Sequence, residues 1–285
     1  MIKSHLVPAS INCKYCNKLL LQIMKIADHY NFYCDNCKQF TKWYYQTRLE
    51  KMQMTYSFVE KLIIMFLDNK TAKDAYDFLN YEFCQEKSNI NTVRRYFTLF
   101  CNITLSYYQN HLDSTILEGN IEIDESHLFK EKKTHAPRRQ YKLRSVWLFG
   151  LKKRDSSEFL LIPMTSREEI NMHLAIVKHV KKYSTLYTDS YAAYVNNHTK
   201  KSKLEDFGFC HEFVNHRIQF VSSLFPEVRT NTVERLWRIV KNDLKRTKVT
   251  TKYVLGIARF TFLKNLTQAE QIKILCEGLR KEKIE

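Results

Sequence analysis

Glycine and proline are scarce, at five and four in 285 residues. Phosphate-cradling loops need clustered glycines, so a P-loop or a dinucleotide-binding fingerprint is excluded. Long apolar runs are missing too. None approaches the roughly 20 residues that span a bilayer, so no membrane partner is expected. Met1-Ile2-Lys3-Ser4-His5-Leu6 holds no signal-peptide apolar core. Acidic residues are the third shortage. Asp and Glu number 30 against 46 Lys and Arg, which leaves a net charge of +16. That balance points to an anionic partner, nucleic acid before others. A hydrophobic content of 44% and an aromatic content of 13% exclude a disordered chain. The length suits one large domain or two to three smaller ones.

Eight cysteines are present. In a chain read as intracellular they are expected reduced or metal-bound. Four fall in Cys13-Lys14-Tyr15-Cys16 and Cys34-Asp35-Asn36-Cys37. Two C-x2-C turns at this separation offer four thiolates to one tetrahedral Zn²⁺, structural because no position is left for water. Two disulfides or four idle thiols are the competing readings. Leu19-Leu20-Leu21-Gln22-Ile23-Met24 and Asn31-Phe32-Tyr33 read as intervening strands, so residues 1–46 are expected to form a zinc ribbon that leans on its metal to fold. The aromatic exit Phe40-Thr41-Lys42-Trp43-Tyr44-Tyr45, with Lys38, reads as a DNA contact or as packing on the next domain. Cys84 and Cys101 lack a partner at ligand spacing and read as small buried residues.

Residues 55 to about 112 read as helical, within a domain expected over 47–114. Phe58, Leu62, Met65 and Phe66 form one apolar stripe, and Thr71 caps a second helix through Ala72, Ala75, Tyr76 and Leu79. After a polar turn, Asn91-Thr92-Val93-Arg94-Arg95 opens a third. The arrangement resembles a helix-turn-helix, whose second helix would carry Arg94 and Arg95 into the major groove.

From Gly119 the pattern changes. Gly119-Asn120-Ile121-Glu122-Ile123-Asp124-Glu125-Ser126 alternates as a strand ending in acids. Arg144 to Leu151 and Glu158 to Met164 read as two more strands, with a basic loop, Lys130 to Arg139, after the first. A helix from Ser166 follows, with Ile170, Leu174, Val177 and Val180 on its stripe. Thr185 to Ser190 and Phe209 to Asn215 read as the last two strands. The late helix, Thr230 to Arg246, buries Val233, Trp237, Val240 and Leu244. It carries Glu234, Arg238, Lys241 and Lys245 within roughly 60° of one another. A solvated face of i,i+4 pairs is the ordinary reading of those four. Strand, strand, strand, helix, strand, helix, strand, helix is the order of a ribonuclease H-like α/β fold with a mixed five-stranded sheet. It is expected over residues 115–266, with a charged helical tail at 267–285 that could serve assembly.

In that order the first and fourth strands are neighbours. Asp124 and Asp189 then lie side by side, and the late helix can bring Glu234 to them. Three converging carboxylates repel one another unless a cation intervenes. Hard carboxylate oxygens suit Mg²⁺ or Mn²⁺. Two such ions can drive in-line phosphodiester displacement without a nucleophilic side chain.

Five segments then carry a family resemblance: Glu122-Ile123-Asp124-Glu125-Ser126, Val146-Trp147-Leu148-Phe149-Gly150, Tyr187 to Tyr194, Phe213-Val214-Asn215-His216, and Thr230 to Trp237. In this order and spacing they resemble the Merlin-type DDE transposases and their insertion-sequence relatives, over residues 119 to 265. The resemblance implies metal-dependent cleavage and strand transfer of DNA at terminal inverted repeats. It implies Asp124, Asp189 and Glu234 as ligands of two Mg²⁺ or Mn²⁺ ions, and Asn231, His216 and Asn215 as supporting or DNA-contacting residues. Two departures stand out. His127-Leu128-Phe129-Lys130 replaces the Gly-Lys-Arg common after the first acid, and Tyr191 stands where Trp is common. Lys132, Lys133, Arg138, Arg139, Arg238, Lys241 and Lys245 are candidate phosphate contacts. A homodimer or higher oligomer is expected, because two ends must be paired. The abundant Lys and Asn point to an AT-rich genome, and the resemblance to a eukaryotic nucleus, or to cytoplasm in a prokaryote. A domesticated DNA-binding protein and a ribonuclease H-like nuclease remain as alternatives.

Overall fold

Local signals set the elements in a computed structural model that describes residues 2–50, 54–82, 89–135, 140–196, 198–214, 230–246 and 253–281. In chain order they are α1 (Ile2–Leu6), β1 (Ile11–Asn12), β2 (Leu19–Leu20), β3 (Ile23–Ile26), β4 (His29–Cys34), β5 (Gln39–Lys42), α2 (Tyr56–Leu67), α3 (Ala72–Glu82) and α4 (Ile90–Ser114). Then follow β6 (Asn120–His135), β7 (Gln140–Lys153), β8 (Phe159–Met164), α5 (Glu169–His179), β9 (Thr185–Asp189), β10 (Cys210–Val214), α6 (Asn231–Arg246), α7 (Tyr253–Asn265) and α8 (Gln268–Arg280). The chain divides into two compact units. One holds Met1–Tyr107 with Phe262–Glu285, the other Tyr108–Thr261.

In the first unit β1 pairs with β2, and β4 lies between β3 and β5 in an antiparallel sheet. Caps set the helix starts that follow. The Thr55 hydroxyl accepts from the Phe58 amide at the head of α2, and Thr71 and Asp74 bond reciprocally at the head of α3 (3.0 and 3.2 Å). Phe58, Leu62 and Phe66 are buried as their spacing predicts. Phe66 meets Phe97 and Phe100 of α4 edge-on at 5.6 and 5.2 Å. The C-terminal segment is more than a charged tail. A capping box of Thr267 and Glu270 starts α8, whose Leu275, Cys276 and Leu279 complete this unit's core, and α8 packs on α1.

The second unit is built on a mixed sheet in the order β10-β9-β6-β7-β8. β9 runs parallel to both β6 and β10, while β7 is antiparallel to β6 and β8. The expected adjacency of the first and fourth strands is present, with Glu122 opposite Tyr187. Ile121, Ile123, Phe149, Leu151 and Leu160 form its core with Met172 and Ile176 of α5. Two expectations are corrected. The basic segment expected to be a loop is mostly paired strand, since β6 reaches His135 and β7 starts at Gln140. Backbone pairing extends a hairpin without any apolar face to bury. The stripe of α5 is also out of phase. Ile170, Leu174 and Val177 are exposed, and the face that packs carries Met172, His173, Ile176 and His179. There His173 Nε2 meets the Ala193 carbonyl at 2.7 Å. Among the described residues, no helix is long and apolar enough to cross a membrane.

Candidate active site

Glu122 fixes the site's frame. Its carboxylate is fully buried on β6. One oxygen accepts from the Thr232 and Val233 amides in the first turn of α6, at 2.8 and 2.9 Å. The other accepts from Arg154 Nε at 2.9 Å, and that guanidinium lies over the Tyr187 ring at 3.4 Å. A helix start presents free N–H groups and a positive dipole end, so a carboxylate from a strand anchors it. Period-2 alternation puts Glu122 and Asp124 on the same face of β6. The anchor thus brings the start of α6, and Glu234 with it, to the stretch of β6 that carries Asp124.

Trp237 makes the second tie. Its indole Nε1 donates to Asp124 Oδ2 at 2.7 Å. The ring lies over Gly150, the residue opposite Asp124 on β7, where an added Cβ would stand 2.4 Å from it. Val233, Val240 and Leu244 complete the buried stripe of α6, while Glu234 and Arg238 are exposed and Lys241 is half-buried.

Asp189 ends β9, and its Oδ1 accepts from the Tyr191 amide at 3.0 Å. The Thr230 hydroxyl reaches Glu234 Oε1 at 3.5 Å. The charges of Asp189 and Glu234 both act on Asp124. Burial, with the charges of Asp189 and Glu234, raises Asp124 to about 6 against the Trp237 hydrogen bond. A fourth carboxyl stands beside them. Burial and the charges of Asp124 and Asp189 push Glu125 up to about 8. The Tyr194 hydroxyl donates to Glu125, and Arg167 approaches it at 3.8 Å. Arg167 also faces the rings of Trp147 and Tyr191, at 4.0 and 4.8 Å. Beneath Asp189, the His211 ring bridges the Thr188 and Ser202 hydroxyls at 2.8 Å each. Burial lowers His211 to about 4, and a neutral imidazole, donor on one side and acceptor on the other, suits both hydroxyls.

The hard oxygens of Asp124, Asp189 and Glu234 fit a divalent metal by donor type. Among the described residues, the one tight ligand cluster is a different one. The sulfurs of Cys13, Cys16, Cys34 and Cys37 all lie within 4.8 Å of one another, and four thiols so placed could hold a zinc ion. Burial pushes the Cys37 thiol up to about 12.

Of the other residues singled out in the sequence, Asn231 opens α6 and is exposed. Arg94 and Arg95 are exposed on α4, in the other unit. Asn215, His216, Arg138, Arg139 and Cys84 lie outside the described residues, as do the side chains of Lys132, Lys133 and Lys245. The sequence reading passed over Glu122, Glu125, Gly150, Arg167 and Trp237's bond. Alternation alone marks Glu122 as a companion of Asp124.

This strand order, with one acid within β6, a second ending the adjacent β9 and a third in the first turn of α6, is that of a ribonuclease H-like fold. Residues 116–258 match the ISXO2-like transposase domain, just over half of the chain, and the chain belongs to that family of DDE-type transposases. Two solved Mos1 structures, a mariner paired end complex with Mn and a pre-cleavage transpososome, align over 80% of this chain and 99% and 98% of theirs. Their identities are 10% and 8%, and the TM-score is 0.21 for both. Similarity that low adds nothing to the family assignment. No curated protein matches.

Proposed function

We propose that the chain is a cut-and-paste DNA transposase in which Asp124, Asp189 and Glu234 hold two Mg²⁺ or Mn²⁺ ions. The observation that carries this reading is the convergence of three carboxylates, in which Asp189 at the end of β9 and Glu234 in the first turn of α6 stand near enough for their charges to act on Asp124 of β6. Bound divalent metal supplies activation of the attacking hydroxyl and neutralises charge on the phosphate. The protein's own part is placement. Glu122 and Arg154 set the start of α6, and Trp237 orients Asp124. Arg167, a third exposed beside the acids, offers a guanidinium to DNA phosphate. Arg238 and Lys241 extend that charge along α6.

The first unit is the proposed end-binding part. The ribbon, with zinc on its four cysteines, and the helix-turn-helix formed by α3 and α4 would bind the terminal inverted repeats. Asn91, Arg94, Arg95, Thr98 and Asn102 are exposed along one face of α4. These are side-chain types that read base edges in the major groove. The 3′-hydroxyl freed at the element end would then attack target DNA, in an assembly of two or more chains.

The test is cleavage of a labelled duplex carrying the terminal repeat of the element, with Mg²⁺ or Mn²⁺. Wild type should cut at the repeat boundary and join the end to a plasmid. Asp124→Ala should bind the repeat without cutting it. Cutting that persists in Asp124→Ala would refute the assignment.

A further inference from the structure

On the first unit, the turn between Cys13 and Cys16 faces β5 and the segment after it across a cleft of about 240 Å³. That is below the roughly 300–1,000 Å³ of a pocket for a drug-sized ligand. Aromatic rings dominate its lining. Tyr15 and Phe40 are 60% and 43% exposed, Tyr45 is half-buried, and Tyr44 is 96% buried by its 4% exposure. Exposed aromatic rings on a small ribbon cost solvation, and here several line one cleft.

Charge is distributed with them. Lys14 and Lys42 are exposed, and their ammonium groups lie 5.9 Å from the Tyr45 ring and 5.5 Å from the Tyr44 ring. Glu50, half-buried, also lines the cleft. A bare phosphate inside would meet that carboxylate. A neutral ring with N–H groups at its edge would find an acceptor there. The cleft is also preformed, because the Lys14 amide donates to the buried Thr41 hydroxyl at 3.1 Å and ties the cysteine turn to β5.

We infer that this cleft takes one unpaired nucleobase of a DNA strand, stacked on Tyr15 and Phe40 with its flanking phosphates on Lys14 and Lys42. The inference rests on the DNA-acting reading above and adds a single-strand contact to it. Bases in a duplex already have both faces stacked, so open aromatic faces reward a base that has left the helix or lies in a single strand.

The experiment uses full-length, zinc-loaded protein and a short single strand carrying a fluorescent adenine analogue. Stacking should quench the analogue. Tyr15→Ala and Phe40→Ala should each weaken single-strand binding about tenfold, and duplex binding much less, with zinc content and melting temperature retained. Tyr15→Phe should restore binding, because the ring is what stacks. Lys14→Gln with Lys42→Gln should flatten the salt dependence. Single-strand affinity unchanged in both alanine variants would overturn the inference, and so would an equal loss on duplex, which would give the cleft to the helix instead. Failure of the cleavage test with quenching intact would strike the transposase reading alone.

Discussion

The indole of Trp237 fills the place that a side chain at Gly150 would need. An ideal Cβ there stands 2.4 and 2.6 Å from two ring carbons. The ring is rigid and its Nε1 is tied to Asp124, so relieving the contact moves the indole away from that carboxylate. Gly150→Ala should push the indole off Asp124 and destabilise the second unit by about 1–3 kcal/mol. Urea unfolding measures the loss. Unchanged stability would mean that the ring moves freely.

Trp237→Phe keeps most of the ring and removes the donor. The Trp237 bond holds Asp124 down against burial and its neighbours' charges. Its loss should therefore raise the carboxyl above about 6 in the metal-free protein. Carboxyl NMR titration reads this directly. The sign for stability follows. A folded carboxyl above its unfolded value binds its proton first, so its contribution falls as pH rises from about 4 to about 6. The variant should stretch that window upward.

Glu122→Ala removes the acceptor of two α6 amides and the partner of Arg154. Breaking a buried pair this way costs roughly 3–5 kcal/mol. Glu122→Gln keeps one carbonyl oxygen and should cost less. Chemical denaturation of the two variants gives the order. Equal stability would show that α6 is held by its apolar stripe alone.

Zinc predicts a separate behaviour. Purified chain should carry one ion, and Cys34→Ser should lose it. Chelation should melt the ribbon, seen as loss of the near-ultraviolet dichroism of buried Trp43. A chelated chain with that signal intact would leave the four cysteines without a structural metal.

Much of this architecture was legible beforehand, because strands and helices announce themselves by period. The acid-bearing strand, the late helix and the paired Cys turns all follow from spacing. What stayed hidden depends on register. Nothing in Gly150 or Trp237 alone says that one lies over the other; their meeting needs β7 aligned on β6 and α6 laid across both. Alternation shows Glu122 only as a strand residue, and its burial is explained by the N-terminus of α6. The stripe of Ile170, Leu174 and Val177 is periodic yet exposed. Periodicity finds an apolar face, but packing chooses which face is covered, and here two histidines with backbone partners took that place.

The first unit is closed by the last helix of the chain. α1 is made before the second unit and α8 after it. The seat for Leu275 and Leu279 therefore stays open until α8 follows, and any chain cut short before Gln268 keeps it open for good. Exposed apolar surface of that kind is what chaperones and proteases recognise. Chains truncated there should be cleared quickly, which pulse-chase measurement of their lifetime against the intact chain checks.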